Sequence, residues 1–347
     1  MNELRRNIII SSQIGGGGVN GIDIDNYLTI VALEDGLTAT LSGGTVEYCI
    51  DGDGNWKTLA SNTASESINK EQTLSFRGNL SPNLSSGVGR FIINKSCDLT
   101  GNCNSLLFGD NAKSNNSLSG KNYAFKYLFQ NCTTIRNVST NFLPATILAN
   151  NCYYGMFKNC SSLTTAPKLP ATTLASSCYS DMFYGCKSLI TAPELPVKTL
   201  ANYCYNSMFR GCSSLTTTPQ LPATTLATSC YTSMFMDCTS LTSAPQLPAT
   251  TLKDSCYHSM FYGCKSLTTA PILPATTLVS SCYINMFYGC SKLNYIKAMF
   301  TTTPSSSYTG YWIHGVASSG TFVKNKNATW DVTGTYGIPS GWTVQTA

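Results

Sequence analysis

The sequence predicts a mixed β/α repeat protein, a solenoid of 26-residue units preceded by a small all-β, sandwich-like domain. Two observations predict it. Cysteines recur at 152, 178, 204, 230, 256 and 282, and a second series at 160, 186, 212, 238, 264 and 290 keeps the same step. Upstream, over about 21–100, short β-branched or aromatic segments alternate with Gly, Asp and Asn. A period between 20 and 50 residues marks units that bury their apolar faces only against their neighbours.

The chain divides in order into an arm (1–20), the all-β domain (21–100), the repeats (101–300) and a terminal cap (301–347). "MNELRRNIIISSQIGGGG" places two arginines before three isoleucines and ends in Gly15 to Gly18. That apolar run is too short for a secretory signal. The segment reads as an arm on a flexible linker, either a disordered terminus or a docking peg for assembly into a larger particle. In the next segment "YLTIVAL", "LTATLSG", "TVEYCI", "TLSFRGNL" and "GRFIINKSC" are strand candidates at the spacing of a small β-sandwich. "DGDGNW" (51–56) has Trp56 where a calcium loop needs glycine and Asn62 where it needs a carboxylate, so a hairpin turn is expected there.

Within the repeats, Cys, Tyr, Met, Phe, Cys and Leu recur in six units, for example Cys178, Tyr179, Met182, Phe183, Cys186 and Leu189. These are the expected core. Cys178, Met182 and Phe183 stand at i, i+4 and i+5, the spacing of one helical face. Asn151, Ser177, Ser229, Ser255 and Ser281 are suited to cap the start of such a helix, while Asn159, Gly185, Gly211, Asp237, Gly263 and Gly289 end it after about two turns. A segment such as "SLTTAPILP" (266–274) then supplies a short strand limited by its prolines. Phe129 lies near the start of the phenylalanine series and Phe209 in its middle, so truncation is expected to be milder at 129.

Two cysteines eight residues apart on a helix are separated by about 12 Å, too far for a disulfide. With Cys132 the second series has seven members and cannot pair completely, and Ala124 replaces the first cysteine of the earliest unit. Buried free thiols are therefore expected. No metal or cofactor is expected either, because CxxC and paired His and Cys spacings are missing. His258 shares its place in the unit with Tyr154, Ser180, Asn206, Thr232 and Ile284, which makes it a variable surface residue, not a ligand. Neither His258 nor His314 stands in a recognisable catalytic arrangement.

Charged residues make up 11% of the chain, and the net charge of +5 is spread without a basic cluster beyond Arg5 and Arg6, which argues against nucleic-acid binding. No apolar run approaches 18 residues, so no helical membrane span is expected.

The run "MFYGCKSLTTAPILP" (260–274) resembles the BspA-like leucine-rich repeats of bacterial surface proteins, and the resemblance extends over about 123–300. It implies a leucine-rich-repeat-like solenoid serving as an extracellular recognition or adhesion scaffold without enzymatic activity. The 26-residue unit is longer than usual and opens on Cys-Tyr, so no ligand is carried over. The expected partner is a glycan or protein on a cell surface, with a bacterium or a phage virion as carrier. A structural fibre of a virion or surface layer is the alternative reading, and a secreted enzyme a third.

The expected binding row is the position two residues after Met, which holds Lys158, Tyr184, Arg210, Met236, Tyr262 and Tyr288. Stacking the units aligns these as a stripe, with Tyr184, Arg210 and Tyr262 as its centre, since aromatic and arginine side chains dominate binding hot spots. Trp312, Trp330 and Trp342 supply bulk for the terminal cap, or alternatively a platform on which sugars stack.

Overall fold

The computed structural model describes residues 21–347. The arm expected as a docking peg lies outside the described residues. Eleven strands follow in order: β1 (Leu28–Ala32), β2 (Ala39–Leu41), β3 (Val46–Ile50), β4 (Lys57–Leu59), β5 (Thr73–Arg77), β6 (Phe91–Ile93), β7 (Cys97–Gly101), β8 (Ile135–Val138), β9 (Tyr295–Ala298), β10 (Thr321–Lys324) and β11 (Thr343–Thr346). Each of the five segments expected to be strands before the repeats carries one. β4 and β3-β5-β1-β7-β8 form one sheet in that order, and β2 pairs with β6. Phe76 of β5 meets Phe91 of β6 edge to face at 5.1 Å, which joins the two sets of strands. β3 and β4 are antiparallel around residues 51–56, where Asp51, Gly52 and Gly54 have positive φ; this is the hairpin turn that "DGDGNW" suggested.

β7 pairs in parallel with β8, so the first repeat extends the preceding sheet. One apolar core then runs from Leu28 to Trp342. Among the described residues no helix is long and apolar enough to cross a membrane.

The helix expected in each unit does not form. In the unit of Cys178, the amides of Cys178, Ser180, Met182, Tyr184 and Cys186 each donate to the carbonyl three residues back. The amides between them, on Ser177, Tyr179, Asp181, Phe183 and Gly185, donate to carbonyls of Asn202, Cys204, Asn206, Met208 and Arg210 in the next unit. The segment is thus a string of tight turns in which every second amide leaves the unit. Ser177, Asp181 and Gly185 have φ of 53°, 56° and 71°, left-handed at every fourth residue. The residues read as helix caps are therefore the points where the chain reverses its twist. Serine, asparagine, aspartate and glycine recur there because their short side chains tolerate that conformation.

The expected strands are also shorter than the sequence suggests. In the interior units pairing shrinks to single parallel bridges such as Thr191 to Thr217 and Thr199 to Thr225. Pro193 and Pro219, lacking N–H groups, stop the ladder two residues after the Thr191 and Thr217 bridge. Only at the two ends, in β8 and β9, where the equivalent proline is missing, does pairing lengthen into strands.

Stacked side chains fill the interior. Phe129, Phe157, Phe183, Phe209, Phe235, Phe261 and Phe287 stand with ring centroids 5.6–5.8 Å apart and near-parallel planes. Tyr153 to Tyr283 form a second such stack. Parallel rings at these distances are offset, the favoured arrangement for aromatic pairs.

All sixteen cysteines are free and buried. The two series differ in chemistry. Each thiol of the second series donates to a phenylalanine carbonyl of the preceding unit, as Cys186 does to Phe157 and Cys212 to Phe183 at 3.1 Å. The same bond recurs at Cys160, Cys238, Cys264 and Cys290, and Cys132 donates likewise to the Phe91 carbonyl of β6, ahead of the repeats. In the first series only Cys282 has a comparable contact, a long one of 3.9 Å to Tyr308. That series is small apolar filling, which is why Ala124 can stand in it. Cys212→Ala is expected to cost about 2 kcal/mol and Cys204→Ala about 1 kcal/mol, the difference being the lost hydrogen bond. Urea melts of the two variants measure it.

Burial pushes the thiols of Cys132, Cys152, Cys230 and Cys290 up from an ordinary 9.0 to about 12. The unfolded chain surrenders these protons from pH 9 upward while the fold still holds them. Their contribution to stability is therefore whole below pH 9 and drains away as pH rises toward 12. Denaturant midpoints that stay constant across that window would contradict this.

Candidate recognition surface

The expected row is held by backbone bonds between units. The amides of Asn131, Asn159, Gly185, Gly211, Asp237 and Gly263 donate to the carbonyls of Lys158, Tyr184, Arg210, Met236, Tyr262 and Tyr288 at 2.6–2.8 Å. Each row residue is thereby fixed one unit beyond its predecessor. All six side chains are half-buried. Gly289 makes the same bond to His314, so the row has a seventh, exposed member that the fading repeat pattern concealed.

Side chains within the row contact one another. Lys158 Nζ lies 4.5 Å and Arg210 Cζ 5.3 Å from the centroid of the Tyr184 ring. These residues come from the preceding and following units, so the ring lies between two cations. Tyr262 and Tyr288 stack at 4.7 Å with planes 2° apart, and His314 continues the stack at 4.7 Å from Tyr288. Met236 separates the cationic half from the aromatic half. Ring faces are largely occupied by neighbours along the row. What remains for a partner is the edges and polar tips: an ammonium, a guanidinium, phenol hydroxyls and an imidazole.

Lys158 also pairs with Asp181 at 2.7 Å, and the Tyr154 hydroxyl donates to the same carboxylate oxygen at 3.5 Å. Lys126 Nζ lies 5.3–5.6 Å from the rings of Tyr123, Tyr127 and Tyr154 and donates to the Leu84 carbonyl. Lys126, Tyr127 and Tyr154 were not legible as part of this surface. Lys126 and Tyr154 stand two residues after Ala124 and Cys152, the variable position that also holds His258, and nothing in the repeat pattern joins that position to the row.

The three tryptophans do not form a sugar platform. Trp312, Trp330 and Trp342 are 0, 4 and 7% exposed. Their indole N–H groups donate to the carbonyls of Gly337, Phe300 and Ala317. Each is a core residue with its one donor satisfied, because a ring of that size at the end of a stack is drawn into covering it. Trp312 closes the phenylalanine stack at 6.2 Å from Phe287. His258 is half-buried, and burial holds its imidazole below the usual range, so the expectation of a plain surface residue is also corrected.

A family model described as a BspA type leucine rich repeat region matches residues 126–258 and 179–311 in six copies, together more than half of the chain. No curated protein matches.

Proposed function

The chain belongs to the BspA-type leucine-rich-repeat family, and from that membership we propose that it is a non-enzymatic recognition protein displayed outside the cell. Its repeats, a solenoid over about 101–300, bind a glycan or protein on a cell surface. Residues 21–100 form a small sandwich-like domain at one end and 301–347 seal the other. One observation carries this reading. The row from Lys158 to Tyr288 changes from unit to unit among large, hot-spot side chains, while the cysteine, tyrosine, methionine and phenylalanine around it stay constant. Buried thiols held far above neutral pH are poor nucleophiles, which fits a scaffold better than a catalyst.

The test is a triple variant, Tyr184→Ser, Arg210→Ser and Tyr262→Ser, in which only half-buried side chains are shortened. It is expected to melt in one cooperative transition and to attach to target cells or arrayed glycans at least about tenfold more weakly. Attachment undiminished in the folded variant removes the row from consideration.

A further inference from the structure

Formal charge is distributed unevenly along the chain. Residues 121–300 hold twelve Lys and Arg against four Asp and Glu, a formal +8, whereas the rest of the chain holds ten against thirteen, a formal −3. The thin spread suggested by the total of +5 is thus the sum of a basic repeat region and slightly acidic flanks.

Part of that excess gathers at one end of the row. Lys126, Tyr154, Asp181, Lys158, Tyr184 and Arg210 form a continuous series of contacts. It contains three cations and one carboxylate. That carboxylate is committed to Lys158, and among the described residues neither Lys126 nor Arg210 has an acidic partner. Among the described residues none accepts a hydrogen bond from the guanidinium fork of Arg210. Because Tyr184 lies between two cations, its faces are closed to the stacking by which neutral sugars engage aromatic rings. Its hydroxyl and the flanking cations are all hydrogen-bond donors. The surface is therefore matched to an extended, acceptor-rich and negatively charged chain lying across successive units.

We infer that Lys126, Lys158 and Arg210, arranged around Tyr154 and Tyr184, bind an acidic polysaccharide through its carboxylate or sulfate groups. This rests on the recognition role proposed above and narrows its ligand. Charge-assisted bonds supply the affinity, and the repeated step between units sets the spacing at which successive acidic sugars are met.

Binding of the full chain is measured by calorimetry to polygalacturonate, dextran sulfate, neutral dextran and polyglutamate. The inference expects binding to the first, the second or both; which of them is bound separates carboxylate from sulfate recognition. It also expects weakening by salt, and a loss of about tenfold in each of Lys126→Gln and Arg210→Gln. Lys168→Gln with Lys198→Gln, which removes two charges outside the cluster, is expected to leave binding unchanged. Equal loss in that control shows unspecific charge attraction and overturns the inference. So does binding to neutral dextran as tight as to the acidic chains, or to polyglutamate at least as tight. If none of the four polymers binds while the triple serine variant still loses cell attachment, the acidic ligand is wrong and the recognition role stands. If the triple variant also attaches normally, the recognition role fails with it.

Discussion

Phe209→Ala is expected to lower stability by about 3 to 5 kcal/mol, because it empties a fully buried site whose ring stacks on Phe183 and Phe235 at 5.7 Å. The hole opens in two neighbouring units as well as its own, so hydrogen exchange is expected to quicken across all three. Phe129→Ala is expected to cost as much. The sequence places Phe129 near the start of the series and suggests a milder effect, but in the structure its ring stacks on Phe157 at 5.6 Å and on Phe91 at 5.4 Å and also touches Phe142. β6, ahead of the repeats, covers that end of the stack with Phe91. Equilibrium urea unfolding of both variants measures the comparison, and a loss at 129 below about 1 kcal/mol would show that this cover is weak.

Ser233→Val is the second large effect, expected to cost roughly 2 to 4 kcal/mol, since a β-branched residue is strained at the φ of 54° held there. Ser233→Gly is expected to leave stability equal or to raise it by up to about 1 kcal/mol. The backbone bonds that Ser233 makes, its amide to the carbonyl of His258 and its carbonyl from the amide of Met236, survive either change. A helix would give the opposite order. There glycine would cost about half a kcal/mol or more relative to serine, and valine would be nearly neutral. Thermal melts of the two variants therefore decide between the turn string and the helix that the i, i+4, i+5 spacing suggested.

That spacing shows what the sequence holds and what it leaves open. The unit length, the free cysteines and the stacking residues were legible because repetition exposes them directly: a residue that returns six times at one offset is needed by every unit. Conformation inside the unit was less legible. Cys178, Met182 and Phe183 fit one face of a helix and equally fit a string of turns repeating every four residues. What separates the two is where Tyr179, Asp181 and Phe183 send their amide protons, and that depends on a unit 26 residues away. The small residue at 181 was the available clue, since a helix takes such residues at its two ends, here 177 and 185, and this chain places a third midway between them. β4, β7, β10 and β11 were not anticipated. β4 and β11 are largely exposed strands without strong alternation, and β7 opens where the last expected segment closes, at Cys97. The row was legible as the one position of large, changing side chains. Lys158 and Arg210 at its cationic end were legible with it; Lys126 was not, because it stands at the unit position of Tyr154 and His258, four residues before the row position.

The central claim, that this row faces the partner, is tested most directly by hydroxyl-radical footprinting of the protein bound to its target cells. Oxidation of Tyr184, Met236, Tyr262 and Tyr288 is expected to slow several-fold on binding, while Tyr295 and Tyr336, exposed outside the row, react as in the free protein. Protection at Tyr295 or Tyr336 with the row reacting unchanged would contradict the account.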